Sequence, residues 1–472
     1  MRNRVILLAI TVGIWIFLKA IDNFVTGPEC LFLLGMALVG MTVHSTWLYL
    51  AQSRWHDKAR IFLKKRISVA MRVTGSQNLK KLGQYKRVLG IKKKAPVENL
   101  TFSDWHPTVD IFVSAKNESR SIENTVRNLF KIDYDKYLLW IIDDCSNDSM
   151  PQILENLKGE FPHLRVINRA PSSYPGKSAA LNEALAKSEG EVIVVFDADA
   201  SVKPDFLNAA LPFLMGERVG AVQVQKRIYE SQKGLLVDCQ ASEYALDSYF
   251  QVGRDIIGGA VELRGNGQLI KREALIDVGG WNNKTLTDDL DLSMRLLVSN
   301  WDVKFCPNVW VFEEGVTTVK ALLRQRRRWA EGSIRRYLDY IFPLNSPSRL
   351  SIMERIDTLV FTVYFVVPAL VVLDSIYEII HLATGVPTYG RFLALLSFLV
   401  LWVTQIDIFI ALRMYRKTPV LTALWKSWVV DIYIYGHWVP VIILSFCQIL
   451  FAKNHSTWHR TEHAGSHCDP TT

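Results

Sequence analysis

The 472-residue chain carries 55 Lys and Arg against 46 Asp and Glu, for a net charge of +9, with 49% apolar residues and a mean hydropathy of +0.12. That apolar share is high for a purely soluble enzyme, and its uneven placement argues against one packed core. The basic excess lies beside apolar runs, where it suits anionic lipid headgroups; without a nucleic-acid motif beside it, the reading has no nucleic acid as partner.

In chain order, the first features are two apolar runs, Val5–Ile21 and Leu31–Ala51. A spanning helix needs about 20 mostly apolar residues. No small-x-small cleavage site follows the first run and the second comes soon after, so residues 1–52 read as a membrane hairpin rather than a cleaved signal. The short connection Asp22–Cys30 lacks Lys and Arg, whereas the stretch from Arg54 to Lys94 is dense in both. Positive loops stay cytoplasmic, which puts the central part of the chain in the cytosol. Residues 53–104 read as a basic juxtamembrane linker, partly helical on the membrane surface.

From Trp105 the pattern becomes that of a folded domain, expected over 105–316. Val109–Ala115 is a β-branched, buried strand; Ser121–Ile132 has helical spacing; Tyr137–Ile142 is a strand ending in Asp143. Leu164–Ile167, the helix Lys177–Lys187 and the strand Val192–Phe196 continue the alternation. Gly265–Leu275 predicts a glycine turn, a strand and a helix start. Strand–helix alternation of this kind predicts an α/β, Rossmann-like, mostly parallel sheet with helices on both faces, and ligands at the carboxyl ends of its strands.

Two acidic motifs fall at such ends. Asp143–Asp144, in DDCSND, can accept hydrogen bonds from a ribose or base edge, or cap an Asx-type turn. Asp197 and Asp199, in FDADA, are two residues apart, so their oxygens can grip a hard cation such as Mg2+ or Mn2+ and leave positions for phosphate. Lys177, in GKSAALN, stands at a helix start, which suits phosphate, although the spacing is not that of a Walker loop. Asp288, Asp289 and Asp291, in TLTDDLDL, open an amphipathic helix, where acids favour the helix dipole. A working carboxylate there is a general base toward an acceptor hydroxyl. One base with no second nucleophile predicts a single displacement with inversion.

Residues 317–345 predict an amphipathic interface helix, with Val319, Leu322, Leu323, Ala330, Tyr337 and Leu338 at helical spacing and arginines on the other faces. It contains QRRRW, in which Arg328 can hold diphosphate and Trp329 can stack on a sugar. The apolar runs Leu359–Ile380, Phe392–Leu412 and Trp428–Phe451 come next, within a membrane region at 346–452, and 453–472 is a tail. Arg413, Arg416, Lys417 and Lys426 place the last connection on the cytosolic side. The final run carries Asp431, Gly436, His437 and Pro440, the marks of a broken or re-entrant segment. Five clean spans put the tail outside, and a re-entrant fifth keeps it in the cytosol. The six cysteines, Cys30, Cys145, Cys239, Cys306, Cys447 and Cys468, show no metal or redox spacing and read as structural.

The four ordered motifs, Asp143–Asp144, Asp197–Asp199, Thr287–Asp289 and Gln325–Trp329, resemble those of the membrane-bound family 2 glycosyltransferases with a GT-A fold. Asn117–Glu118 is similar to that family's opening motif, and Lys177 to its Gly-Lys turn. One departure is that the family's TED reads TDD here, with Asp288 for Glu and the base position Asp289 kept. The resemblance implies that Asp144 with Asp143 contacts uridine, Asp199 binds the metal, and Asp197 supports the nucleotide or donor sugar. It further implies that Asp289 is the base and that Gln325, Arg328 and Trp329 sit over diphosphate and acceptor. Glu313–Tyr340 and the tail TWHRTEHAG resemble cyanobacterial members that glucosylate diacylglycerol. The expectation is therefore transfer from UDP-glucose to 1,2-diacylglycerol in a membrane. The alternative is a processive synthase of the cellulose, hyaluronan or poly-N-acetylglucosamine type, acting on a growing glycan.

Overall fold

The computed structural model describes residues 2–22, 52, 105–229, 231–344, 350–385 and 391–451. The expected run Leu31–Ala51, the linker 53–104 and the tail 453–472 lie outside the described residues. Seven strands, β1 (Val109–Ala115), β2 (Tyr137–Asp143), β3 (Leu164–Asn168), β4 (Val192–Phe196), β5 (Val219–Ile228), β6 (Gln268–Lys271) and β7 (Asp302–Glu313), form one sheet in the order β3-β2-β1-β4-β6-β5-β7. The helices are α1 (Arg2–Asp22), α2 (Ile122–Leu129), α3 (Met150–Glu160), α4 (Lys177–Lys187), α5 (Phe206–Ala210), α6 (Leu235–Ile257), α7 (Arg272–Asp277), α8 (Asp288–Val298), α9 (Val319–Leu344), α10 (Ile352–Thr384), α11 (Arg391–Tyr415) and α12 (Val420–Phe451).

The sheet is mostly parallel, as expected. Only β6 runs against its neighbours β4 and β5. Successive residues of the central strands serve opposite faces. Ile111, Val113, Val194 and Phe196 pack with α2, α3 and α5 on one face. Phe112, Ile193 and Val195 pack with α4, α7 and α8 on the other. These strand residues are completely buried, each contributing about 1.5–3 kcal/mol of burial. Coverage on both faces explains why β4 reads as an unbroken apolar run, and β1 as one broken only by Asp110 and Ser114, rather than as alternating strands.

Among the described residues, four helices are long and apolar enough to cross a membrane by length and composition: α10, α12 and the segments Asn3–Ile21 and Ser397–Tyr415. The final helix, α12, runs unbroken over 32 residues with Pro440 inside it. The expected interface helix is α9, with Leu322, Ala330, Tyr337 and Leu338 buried. Two of its arginines depart from the outward placement that periodicity suggests: Arg326 and Arg336 are buried on carboxylates. Each lies within reach of an acid on another element, which sequence spacing cannot reveal.

Candidate active site

Six strands share one direction, so their carboxyl ends form a common edge, and antiparallel β6 brings its starting turn to the same edge. Asp143 is the last residue of β2, Asp197 follows β4, Lys226 lies near the end of β5, and Glu313 ends β7. At the nucleoside end, Asp144 accepts hydrogen bonds from Arg169 and from the Gly176 N–H, the latter at 3.0 Å. Asp143 instead accepts from the Ser146 N–H at 2.9 Å, in the manner of an Asx-type turn. It therefore shapes the turn that holds Asp144 forward.

The centre of the edge gathers charge of both signs. Lys177 Nζ lies 2.6 Å from Oδ1 of Asp197 and 3.3 Å from the Gly265 carbonyl. Burial opposes its charge, but Asp197, then Asp288, outweigh that and raise it above the usual amine range. Gly265 sits at φ +80°, and a Cβ on it would lie 3.2 Å from Oδ2 of Asp289. The glycine thus meets both a left-handed backbone and a close carboxylate. Asp289 heads α8, and its Oδ1 accepts from the Leu290 N–H at 2.9 Å. Burial, and then the neighbouring charge of Asp288, push Asp289 up to about 6. Oδ2 of Asp288 is buried without a hydrogen-bond partner among the described residues.

Helix α9 closes the site. Arg328 is half-buried; burial lowers its guanidinium's pKa, while the charges of Asp197, Asp288 and Asp289 pull the other way, so it lies within electrostatic reach of all three acids. Trp329 stacks beneath the Arg326 guanidinium, 4.1 Å from its ring centre. Gln325 is turned aside: its Oε1 accepts from Arg326 at 3.0 Å. Asp199 lies deeper, its Oδ2 accepting from the Glu314 N–H at 2.9 Å and its carbonyl from the Tyr229 hydroxyl at 2.8 Å.

Several residues escaped the sequence reading. Lys226 pairs with Glu313 at 3.0 Å and lies over the rings of Tyr244 and Trp329. Burial opposes its charge, and Glu313, then Asp197, restore it and hold it raised. Asn266 donates to Glu313 at 3.0 Å and accepts from the Asp197 N–H at 3.2 Å, tying β7 to the FDADA turn. The available signal was polar alternation in β5, where Gln223 and Gln225 are buried between apolar valines. Asp291, by contrast, is a fastener, wholly buried between Arg295 and Arg336.

The attachment of α9 to this edge is close. A Cβ on Gly332 would fall 2.4 Å from Cγ2 and 2.8 Å from Oγ1 of Thr287. Gly332→Ala is therefore expected to lift α9 from the TDD turn, at a stability cost of about 1–3 kcal/mol from overpacking. Activity falls with it because Arg328 moves from the acids. Adding Thr287→Ala, which removes both clashing atoms, recovers most of the melting temperature and rate; a single variant that matches wild type in both assays would show the contact to be loose.

Acids and cations facing one another along the carboxyl edge of a mostly parallel sheet agree with a glycosyltransferase of the GT-A type. The sequence pattern described as glycosyltransferase-like family 2 matches residues 106–332. A beta-monoglucosyldiacylglycerol synthase of Trichormus variabilis is 38% identical over 370 residues, 76% of this chain and 77% of the relative. One of the same name from Synechocystis is 47% identical over 237 residues, 50% of each chain. The chain belongs to glycosyltransferase family 2. A mannosyltransferase of Pyrobaculum calidifontis, solved with GDP-Man and Mn2+, shares the fold with a TM-score of 0.53 at 19% identity, covering 89% of this chain and 100% of that one.

Proposed function

We propose that the chain transfers glucose from UDP-glucose to the free hydroxyl of 1,2-diacylglycerol, with inversion, giving a β-glycolipid. The observation that carries this reading is the double face of α9. Arg328 lies within electrostatic reach of Asp197, Asp288 and Asp289, while Ala330, Ile334 and Leu338 pack among apolar residues of α1, α10 and α12. The reacting edge and the apolar helices thus meet within two turns, where a diacylglycerol hydroxyl would lie at the membrane interface. The glucosyldiacylglycerol synthases similar to this chain support the same acceptor.

In this reading Asp289 takes the proton of the acceptor hydroxyl. The freed oxygen bonds to the anomeric carbon from the face opposite the diphosphate, the bond from that carbon to the diphosphate oxygen breaks, and UDP leaves with the electron pair. One displacement turns an α-linked donor into a β product. Lys177, Arg328 and Lys226 oppose the charge gathering on the diphosphate. Asp144, held forward by the turn that Asp143 caps, would receive the uridine, and Asp197 would support the donor sugar. Trp329 would back the acceptor, and Gln325 orients Arg326 over its ring.

Among the described residues no group of three or more His, Cys, Asp or Glu side chains could hold a metal by itself. The donor set still fits a hard cation, Mg2+ or Mn2+. Such ions are commonly held by one or two carboxylates together with substrate phosphates, and Asp199 supplies the carboxylate. A cation bound there would offset charge on the leaving diphosphate.

The sheet domain would face the cytosol. Asp238 pairs with Arg416 and Lys426, and Asn3, between Arg2 and Arg4, donates to Asp339, so basic ends of the apolar helices lie on the domain's side. Membranes given labelled UDP-glucose with Mg2+ test the chemistry. Counts in chloroform-extractable glycolipid are the expected result, and counts in a high-molecular-weight polymer would replace it with the processive alternative.

A further inference from the structure

Helix α12 has the length and composition of a membrane span, yet between Lys426 and Gln448 it is fastened first to α6 and then to α9. Near its start Lys426 lies 2.5 Å from Asp238, which also pairs with Arg416 just before the helix. Further on, Tyr433 and Trp438 donate to Glu243 at 3.0 and 2.8 Å. Close to its end, Gln448 accepts from Arg327 at 3.3 Å. Asp238 and Glu243 belong to α6, and Arg327 to α9. From Lys426 to Gln448 the helix advances about 33 Å, and the hydrocarbon core of a bilayer is about 30 Å thick. A crossing helix leaves an extramembrane domain behind after its first turns, and α12 never does. Nor can α9 follow it through the bilayer, because Arg324 and Arg327 are exposed and charge is costly in hydrocarbon.

The end of α11 packs on α6 as well, through Ile408, Ala411 and Leu412, but α10 behaves differently. Helix α10 touches the domain near its start, where Asp357 pairs with Arg254. By Asp374, about 26 Å on, it pairs with Lys19 of α1 instead. The two faces of α12 also differ. Ser427, Asp431, His437 and Ser445 are buried. The exposed stripe is apolar: Leu421, Trp425, Trp428, Ile432, Leu444 and Phe451. Interfacial helices bury such a stripe roughly 5–10 Å into the headgroup and acyl boundary, and Trp is at home at that level.

We propose that α12 lies flat in the membrane interface against α6 and α9, its apolar stripe facing lipid acyl chains, and that it ends on the sheet domain's side of the membrane. The device makes the sheet domain's lipid-facing surface part of the membrane rather than a body hung from it. It holds α9, and with it Arg328 and Trp329, at a set depth beside the lipid acceptor.

The inference rests on the apolar helices being membrane-embedded, and carbonate extraction tests that separately: a chain released into the supernatant removes the membrane, and with it both readings. With the chain in the pellet, sealed vesicles carrying an epitope tag after Thr472 are treated with protease. The expected result is that tag and sheet domain are cut from the same side. A tag cut only from the opposite side would overturn the proposal. Nitroxide labels on Leu424→Cys and Leu444→Cys, in full-length chains whose glycolipid synthesis persists, then report depth. Equal shallow depths support a flat helix, whereas one shallow and one deep label would show a helix entering the bilayer.

Discussion

Replacing Asp289 by Asn is expected to lower turnover by about 10²–10⁴-fold, the usual contribution of a general base, with little change in the affinity for the donor. The amide keeps an oxygen for the Leu290 N–H, which Asp289 now accepts at 2.9 Å, so the helix start survives. The pH profile supplies a second readout. Burial, followed by the charge of Asp288, pushes Asp289 up to about 6. A base works only when ionised, so the wild-type rate falls as pH drops through about 6 and levels off above it. In the variant that acid limb disappears from the residual rate. Stability moves the opposite way. A carboxylate whose folded pKa exceeds its unfolded one favours the fold when protonated and loses that contribution as pH rises through the folded value. At pH 7 the ionised group therefore costs stability, and the Asn variant should melt higher than wild type. That advantage fades as the pH is lowered below about 6 and is gone below the ordinary carboxylate value of 3.8. A variant with near-normal turnover would mean that the base lies elsewhere.

Asp199→Asn should be nearly as damaging, by a different route. The substitution withdraws a charge while leaving an acceptor for the Glu314 N–H, which Asp199 Oδ2 meets at 2.9 Å. Charge stabilisation by a bound cation is worth several kcal/mol, and each 1.36 kcal/mol is tenfold in rate. A loss of roughly 10³-fold is expected, together with a Mg2+ titration that no longer saturates in the wild-type range. Asn separates these effects from misfolding better than Ala does, because Ala would also leave a buried N–H unpaired, at about 1–3 kcal/mol. An unchanged Mg2+ response would remove Asp199 from the cation site.

Much of the sheet was readable along the chain. The strands β1 to β4 and the helix Lys177–Lys187 coincide with local signals, most plainly β1 and β4, where burial on both faces selects Val, Ile and Phe. The second half was harder. In β5 the buried Gln223 and Gln225 serve the hydrogen bonding of the site edge, which breaks the apolar pattern that marks a strand. Asp197, Asp199, Asp289 and Arg328 drew attention as types of residue at telling positions. Lys226 did not, since a lone lysine in a strand is unremarkable until Glu313 and Trp329 stand beside it.

By itself, the sequence determined the class of fold, the order of the four motifs, and the presence of long apolar helices beside a basic linker. These follow from short-range physics: periodicity, residue volume, and charge beside hydrocarbon. Only the tertiary structure decided which charges meet. Asp143 caps a turn while Asp144 faces Arg169, and Arg326 is buried on Glu243 while Arg328 faces the acids. Adjacent residues of one motif thus part ways, because their surroundings come from segments distant in the chain or from across the sheet. The same holds for α12. Its composition is that of a span, and only the tertiary structure shows that successive contacts with Asp238 and Glu243 of α6 and Arg327 of α9 accompany it for about 33 Å.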